Sequence, residues 1–201
     1  MNILVIAAHP DDEVLGMGGT IKKYSKLGHN VKIVIMATGI SCRRNIDYKN
    51  NFNYTLKNEF KPTIKKQISE LQNDSKKAAK ILGVTQIEFL DFPDNEMDLI
   101  SNLQVTKSIE KQINIFKPEI VFTHNSNDIN IDHNICFNAT LTATRPKKNS
   151  LIRKVFSYEV PSSTEWNFPS TYSPNVFVDI TKEISVKKKA LEAYKNEIQK
   201  F

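Results

Sequence analysis

The run Ile3-Leu4-Val5-Ile6 is followed almost at once by His9-Pro10-Asp11-Asp12-Glu13, and no other stretch restricts the chain so tightly. Four branched apolar residues are too few for a helix and read as a buried strand, about Asn2 to Ala8. The helical pattern after them, about Glu13 to Leu27, is stopped by Gly28. One imidazole and three carboxylates therefore sit at the mouth of an apolar strand. Left unpaired they would repel one another, and a divalent cation is the simplest way to hold them together. In an open α/β sheet, ligands bind at the carboxyl ends of the strands. Capping and the helix dipole account for Asp12 or Glu13 alone, but not for His9 or the stiffening Pro10. Gly16, Gly18 and Gly19 raise dinucleotide binding as a competitor. Their spacing, G-x-G-G, is not G-x-G-x-x-G. Three acids before it would also repel a pyrophosphate, so these glycines read as close packing of the helix on the sheet.

The rest of the chain repeats the alternation. Val31–Ala37 reads as a second buried strand and Ile87–Leu90 as a third. Glu119–Thr123 is a fourth, opened by Pro118. Between them lie helical patterns at Thr63–Leu82, ended by Gly83, and over Leu103, Ile109, Ile113 and Phe116, with Ser101 as a cap. Val155–Val160 and Val176–Ile180 read as further strands, and Thr181 caps a final helix carrying Ile184, Leu191, Tyr194 and Ile198. Strand–helix alternation predicts an α/β fold, a mostly parallel Rossmann-like sheet with helices on both faces. The 201 residues suit one domain, 1–201, large enough for a core without staples. The polar run from Thr38 to Pro62 leaves strand two without a period, as a functional lid or a disordered segment would.

The formal charge of +6 comes mostly from Lys and fits solubility or an anionic substrate alike. No segment interleaves basic clusters with aromatics, so nucleic acid is not an expected partner. No run is long enough to span a membrane. The first apolar run is too short for a signal peptide. Only Cys42 and Cys136 are present, which excludes a disulfide scaffold and predicts two free thiols in a cytoplasmic chain.

Strand four ends in a second cluster, Thr123-His124-Asn125-Ser126-Asn127-Asp128-Ile129-Asn130-Ile131-Asp132-His133, where a helix to about Thr144 begins. The bland alternative is a helix capped by Asp128 or Asp132 with His133 merely exposed. Two strand ends that each deliver His and Asp can instead converge, and a His-Asp-His set with one open position suits catalytic zinc.

Together, AHPDDE (Ala8–Glu13) and NDINIDH (Asn127–His133) resemble the PIG-L/LmbE-like family of zinc-dependent deacetylases of N-acetylglucosaminyl and related amino-sugar compounds. GMGG in the first helix, Thr38-Gly39 after strand two and Phe92-Pro93-Asp94-Asn95 after strand three extend the likeness to about Ile184. The resemblance implies that His9, Asp12 and His133 hold one zinc ion and that Asp11 is the general base. It implies that Asp132 supports the site, and it places Arg43 or Arg44 and Asp94 at substrate-contacting positions. One departure stands out. The family often has His-Pro-Asp-His where this chain has Asn130-Ile131-Asp132-His133, so the histidine that assists the oxyanion is replaced by Asn130. His124 is the other histidine of that loop and the alternative donor. Family chains usually continue past the final helix, so the resemblance also implies a chain short at its C-terminus.

The expected activity is hydrolysis of an N-acetyl group from a small amino-sugar conjugate. A metal amidase on a non-sugar N-acyl compound, or a catalytically weak metal- or sugar-binding homologue, are the alternatives. Trp166 is a candidate to stack on a sugar face or to join the core. A homo-oligomer is left open.

Overall fold

The computed structural model describes residues 1–40, 61–169 and 172–195. Cys42, Arg43, Arg44 and most of the polar run after strand two lie outside the described residues. Five strands form one sheet: Asn2–Ala7 (β1), Asn30–Ala37 (β2), Gln86–Phe92 (β3), Ile120–His124 (β4) and Lys154–Tyr158 (β5). Their order is β3-β2-β1-β4-β5, and every neighbouring pair is parallel. β1 is the middle strand, with Ile3 opposite both Val31 and Ile120.

A strand covered on both faces needs apolar side chains at consecutive positions, which is why β1 shows no alternation. Ile3, Val5 and Ala7 face one core, and Leu4, Ile6 and the following Ala8 face the other. Full burial of each large residue contributes roughly 1.5–3 kcal/mol. The first core is closed by helices Asp12–Leu15 (α1), Gly18–Lys26 (α2), Lys61–Leu82 (α3) and Ile184–Leu191 (α6). The second is closed by Asn102–Phe116 (α4) and Ile131–Thr144 (α5).

Several expectations are corrected. The first helix is two pieces, because the chain breaks at Gly16-Met17. A Cβ at Gly16 would stand 2.5 Å from the Glu159 carbonyl and from the Tyr158 ring, and one at Gly19 would strike Ile180 at 2.5 Å. These glycines therefore admit the chain after β5 and the approach to α6, in addition to packing over the sheet. Residues 176–180 form no strand; Phe177 is 80% exposed, and the sheet ends at β5. α6 begins at Ile184 with Glu183, not Thr181, at its N-cap position. Leu103 points outward from α4, whose buried face is Val105, Ile109, Gln112 and Phe116. Ser101 does cap α4, its Oγ accepting the Gln104 N–H at 3.2 Å. Trp166 is exposed and meets Phe168 edge to face. No described helix is long and apolar enough to cross a membrane.

Strand order explains why one end of the sheet can hold a site. The chain runs outward from β1 to β3, then returns through α4 to lay β4 on the other side of β1. The carboxyl ends of β1 and β4 thus diverge at a switch point, which opens a crevice.

Candidate metal centre and active site

All five strand ends contribute to a cleft of about 240 Å³ in that crevice. It is lined by His9, Asp11 and Asp12 after β1, Gly39 after β2, Asp94 and Asn95 after β3, Asn130 and His133 after β4, and Ser162 and Ser163 after β5. A larger cavity, about 580 Å³ between β5 and residues 172–180, contains no histidine and no metal-ligating cluster.

The turn after β1 is built against a backbone preference. Asp11 has φ 104° and ψ −31°, a region L-residues avoid at a cost of order 1–3 kcal/mol. Its carbonyl accepts from the Val14 and Leu15 N–H groups and so starts α1. Asp12 folds back so that its Oδ2 accepts the His9 N–H at 2.8 Å. Gly39, at φ 69°, lets β2 end against this turn, since a Cβ there would lie 2.6 Å from Pro10 Cδ.

His9, Asp12 and His133 come together as a potential metal-ligating group, all three buried. Asp12 Oδ2 lies 3.4 Å from His9 Nδ1 and 3.1 Å from His133 Nε2. The second approach is not aligned as a hydrogen bond, and His133 Nε2 is buried without a hydrogen-bond partner. An orphaned imidazole nitrogen beside a carboxylate oxygen suits two ligands facing a common ion, so the residues present fit a divalent metal. His9, Asp94 and Asp132 form a second potential group. It uses the other face of His9: Nε2 lies 3.2 Å from Asp94 Oδ1 and 2.9 Å from Asp132 Oδ2. Asp132 is already engaged, its oxygens accepting from the Asn95 N–H at 2.7 Å and the Met97 N–H at 3.1 Å. It therefore fixes the His9 ring and ties the β3 loop to α5.

The electrostatics follow from this packing. Burial opposes ionisation of Asp12, but the charge of His133 beside it holds the carboxyl well below the usual range. Burial likewise opposes protonation of His133, but Asp12 and Asp128 push it up to about 9. His9 is held well above its ordinary value against burial by its bonds to Asp12 and Asp132. Both rings thus sit among carboxylates that favour their protonated forms, a charge balance that a bound cation could take over.

Some site residues take places that sequence reasoning did not give them. His124 is fully buried beneath His133, with ring centroids 3.9 Å apart. Its Nε2 accepts the Ala8 N–H at 2.7 Å, and burial pushes its pKa well below 6.5, so it is a neutral floor outside the cleft lining and not a substrate contact. Asn130 is the N-cap of α5 in place of Asp128 or Asp132, its Oδ1 accepting the Asp132 N–H at 2.9 Å. Its Nδ2 donates to Asn95 Oδ1 at 3.1 Å, so both polar ends are engaged. Asp132 orients His9, and the partner of His133 is Asp128, whose Oδ2 lies 3.0 Å from Nδ1. Ser163 and Thr164 hydroxyls donate to the same Asp128 oxygen at 3.0 and 2.7 Å. Ser163, Thr164 and the orienting role of Asp128 escaped sequence reading; the only signal was hydroxyl residues just past a strand end.

Comparison with known proteins adds to this geometry. Residues 4–144 match the family described as PIG-L, GlcNAc-PI de-N-acetylase. The chain belongs to the PIG-L family. It is 28% identical over 202 residues to the uncharacterized deacetylase YaiS of Escherichia coli K12, spanning 96% of this chain and 90% of that one. It is 27% identical over 204 residues to the diacetylchitobiose deacetylase of Thermococcus kodakarensis, spanning 97% of this chain and 69% of that one. The solved 4-carboxy-2-hydroxymuconate hydratase GalB of Pseudomonas putida KT2440 shares the fold, with TM-score 0.75, 22% identity and coverage of 98% of this chain and 79% of that one. The same fold thus occurs in a protein named as a hydratase, and fold alone does not set the chemistry.

Proposed function

We propose that this chain is a zinc-dependent hydrolase that removes an N-acetyl group from a small amino-sugar conjugate. The observation that carries it is the convergence of His9, Asp12 and His133 beside Asp11 in one cleft, in a PIG-L family chain whose relatives are named as deacetylases. The metal would be held by His9 Nδ1, Asp12 and His133 Nε2, and when bound it supplies a Lewis acid that lowers the pKa of water to about 7 and offsets charge on the carbonyl oxygen.

The chain's own residues do the rest. Asp11, on the cleft wall but outside the ligand group, takes the proton from the attacking water and returns it to the departing amine nitrogen. Asp132 and Asp128 keep the rings of His9 and His133 turned toward the centre. Asp94, buried on the cleft wall, and Asn95, exposed beside it, are the proposed polar contacts for sugar hydroxyls, and Arg43 and Arg44 are the proposed grip on the rest of the conjugate. Among the described residues the only imidazoles lining the cleft are those of His9 and His133, both assigned here to the metal.

A panel of N-acetyl sugars and N-acyl amino acids, assayed for free amine after chelation with and without added zinc, tests this reading. Amine release from N-acetyl sugars only with zinc supports it. Release only from the amino acids moves it to the amidase alternative. Zinc binding without release from any substrate leaves a binding homologue. Asp11→Asn should keep the metal and lose about 10²–10⁴-fold in turnover, whereas Asp12→Asn should lose the metal; the opposite pattern reverses the roles.

A further inference from the structure

We propose that Glu13 and Tyr194 are positioning residues that hold the Asp11 backbone in its left-handed conformation, and so aim the Asp11 carboxylate. This rests on the reading of Asp11 as the general base. Glu13 is fully buried and its Oε2 accepts the Asp11 N–H at 3.0 Å. The fully buried Tyr194 hydroxyl donates to Glu13 Oε1. These donors are neutral, and no described cation pairs with Glu13.

A carboxylate buried against neutral donors is expensive, and an apolar side chain of similar volume would pack the same space more cheaply. What an apolar side chain cannot do is accept the N–H of Asp11. That N–H belongs to the strained residue, at φ 104°. α1 is four residues long and makes no side-chain cap bond, so it cannot fix the turn by itself. The hold comes from the far end of the described chain. Tyr194 follows α6, its own N–H bonded to the Leu191 carbonyl, and Lys187 of α6 donates to the Leu15 carbonyl at 2.7 Å. α6 and the turn after it thus grip α1 at both ends, and the line Tyr194–Glu13–Asp11 runs from a core residue to the cleft wall.

The test uses the zinc-loaded full chain and the variants Tyr194→Phe, Glu13→Leu and Glu13→Gln. Gln keeps an oxygen for the Asp11 N–H and an amide that can face the Tyr194 oxygen, so it should rescue what Leu loses. Tyr194→Phe and Glu13→Leu should lower kcat roughly ten- to hundred-fold with KM nearly constant and one metal still bound, as for a misplaced catalytic group. Hydrogen exchange of the Asp11 amide should quicken at least about tenfold in both, and not in Glu13→Gln. Unchanged kcat and exchange in Tyr194→Phe and Glu13→Leu would overturn the proposal. So would loss of the metal, which would place the effect at Asp12, or a Gln variant as impaired as Leu. If the unaltered chain releases no amine from any probe, the deacetylase reading fails by itself, and the brace is then decided by the Asp11 amide exchange alone.

Discussion

Asp128 and Asp132 lie four residues apart, yet each serves a different imidazole. Asp132 reaches His9 across the switch point, while Asp128 turns back to His133 on its own loop. Removing an orienting carboxylate typically costs 10- to 100-fold in metal affinity. Asp128→Asn is therefore expected to weaken zinc binding by about that factor, read by competition with a chelating dye. The pH dependence has two opposite signs. Without metal, a His133 raised to about 9 contributes stability that is complete below its unfolded value of about 6.5 and is lost as pH rises through about 9. Metal binding must displace that proton, so zinc affinity rises with pH up to about 9 and protons are released on loading. Calorimetry of zinc binding in buffers of different ionisation enthalpy at pH 7 should detect at least one proton released. None would mean that His133 is already neutral at pH 7 before zinc binds, or that it is not a ligand.

At the scale of elements, the N-terminus of α5 is fixed by Asn130. This position, where the family often has histidine, is filled here by a good cap whose amide also bridges to the β3 loop through Asn95. Asn130→Ala should lower stability by roughly 1 kcal/mol, within the usual 0.5–2 for a lost cap, and should change kcat by less than about tenfold. A larger fall in kcat with unaltered KM would return Asn130 to the role of transition-state donor. The end of β2 offers a sharper case. Gly39→Ala introduces a side chain at φ 69° and a contact of 2.6 Å with Pro10 Cδ. It is expected to destabilise by more than about 1 kcal/mol, seen in thermal melts, and to lower turnover as well, because Pro10 precedes Asp11.

At the scale of the whole molecule, the sheet brings segments far apart in sequence to one cleft, with His9 and Asp132 separated by 123 positions. An ion that binds only the folded arrangement must then stabilise the fold, by about 2.7 kcal/mol at a hundredfold excess over Kd. Added zinc should raise Tm in the unaltered chain and leave His133→Ala unmoved; an equal rise in both would place the ion elsewhere.

The apolar runs by themselves determined the strand–helix alternation, and hence the parallel sheet, because a strand buried on both faces has a composition that no surface segment shares. The two acidic and histidine clusters were legible because each sits next to such a run, and their resemblance to a known family supplied the proposed ligands. What sequence did not decide was which groups pair across the sheet. Asp128 reads as a cap until β4 and β5 place Ser163 and Thr164 against it, His124 reads as a site residue until β4 buries it, and Val176–Ile180 reads as a strand until the sheet offers it no partner. Tyr194 reads as one more apolar position of a final helix until α6 carries it to Glu13. Local pattern reports how a residue meets its neighbours in the chain, whereas these roles come from neighbours in space, and only strand order and helix placement supply those.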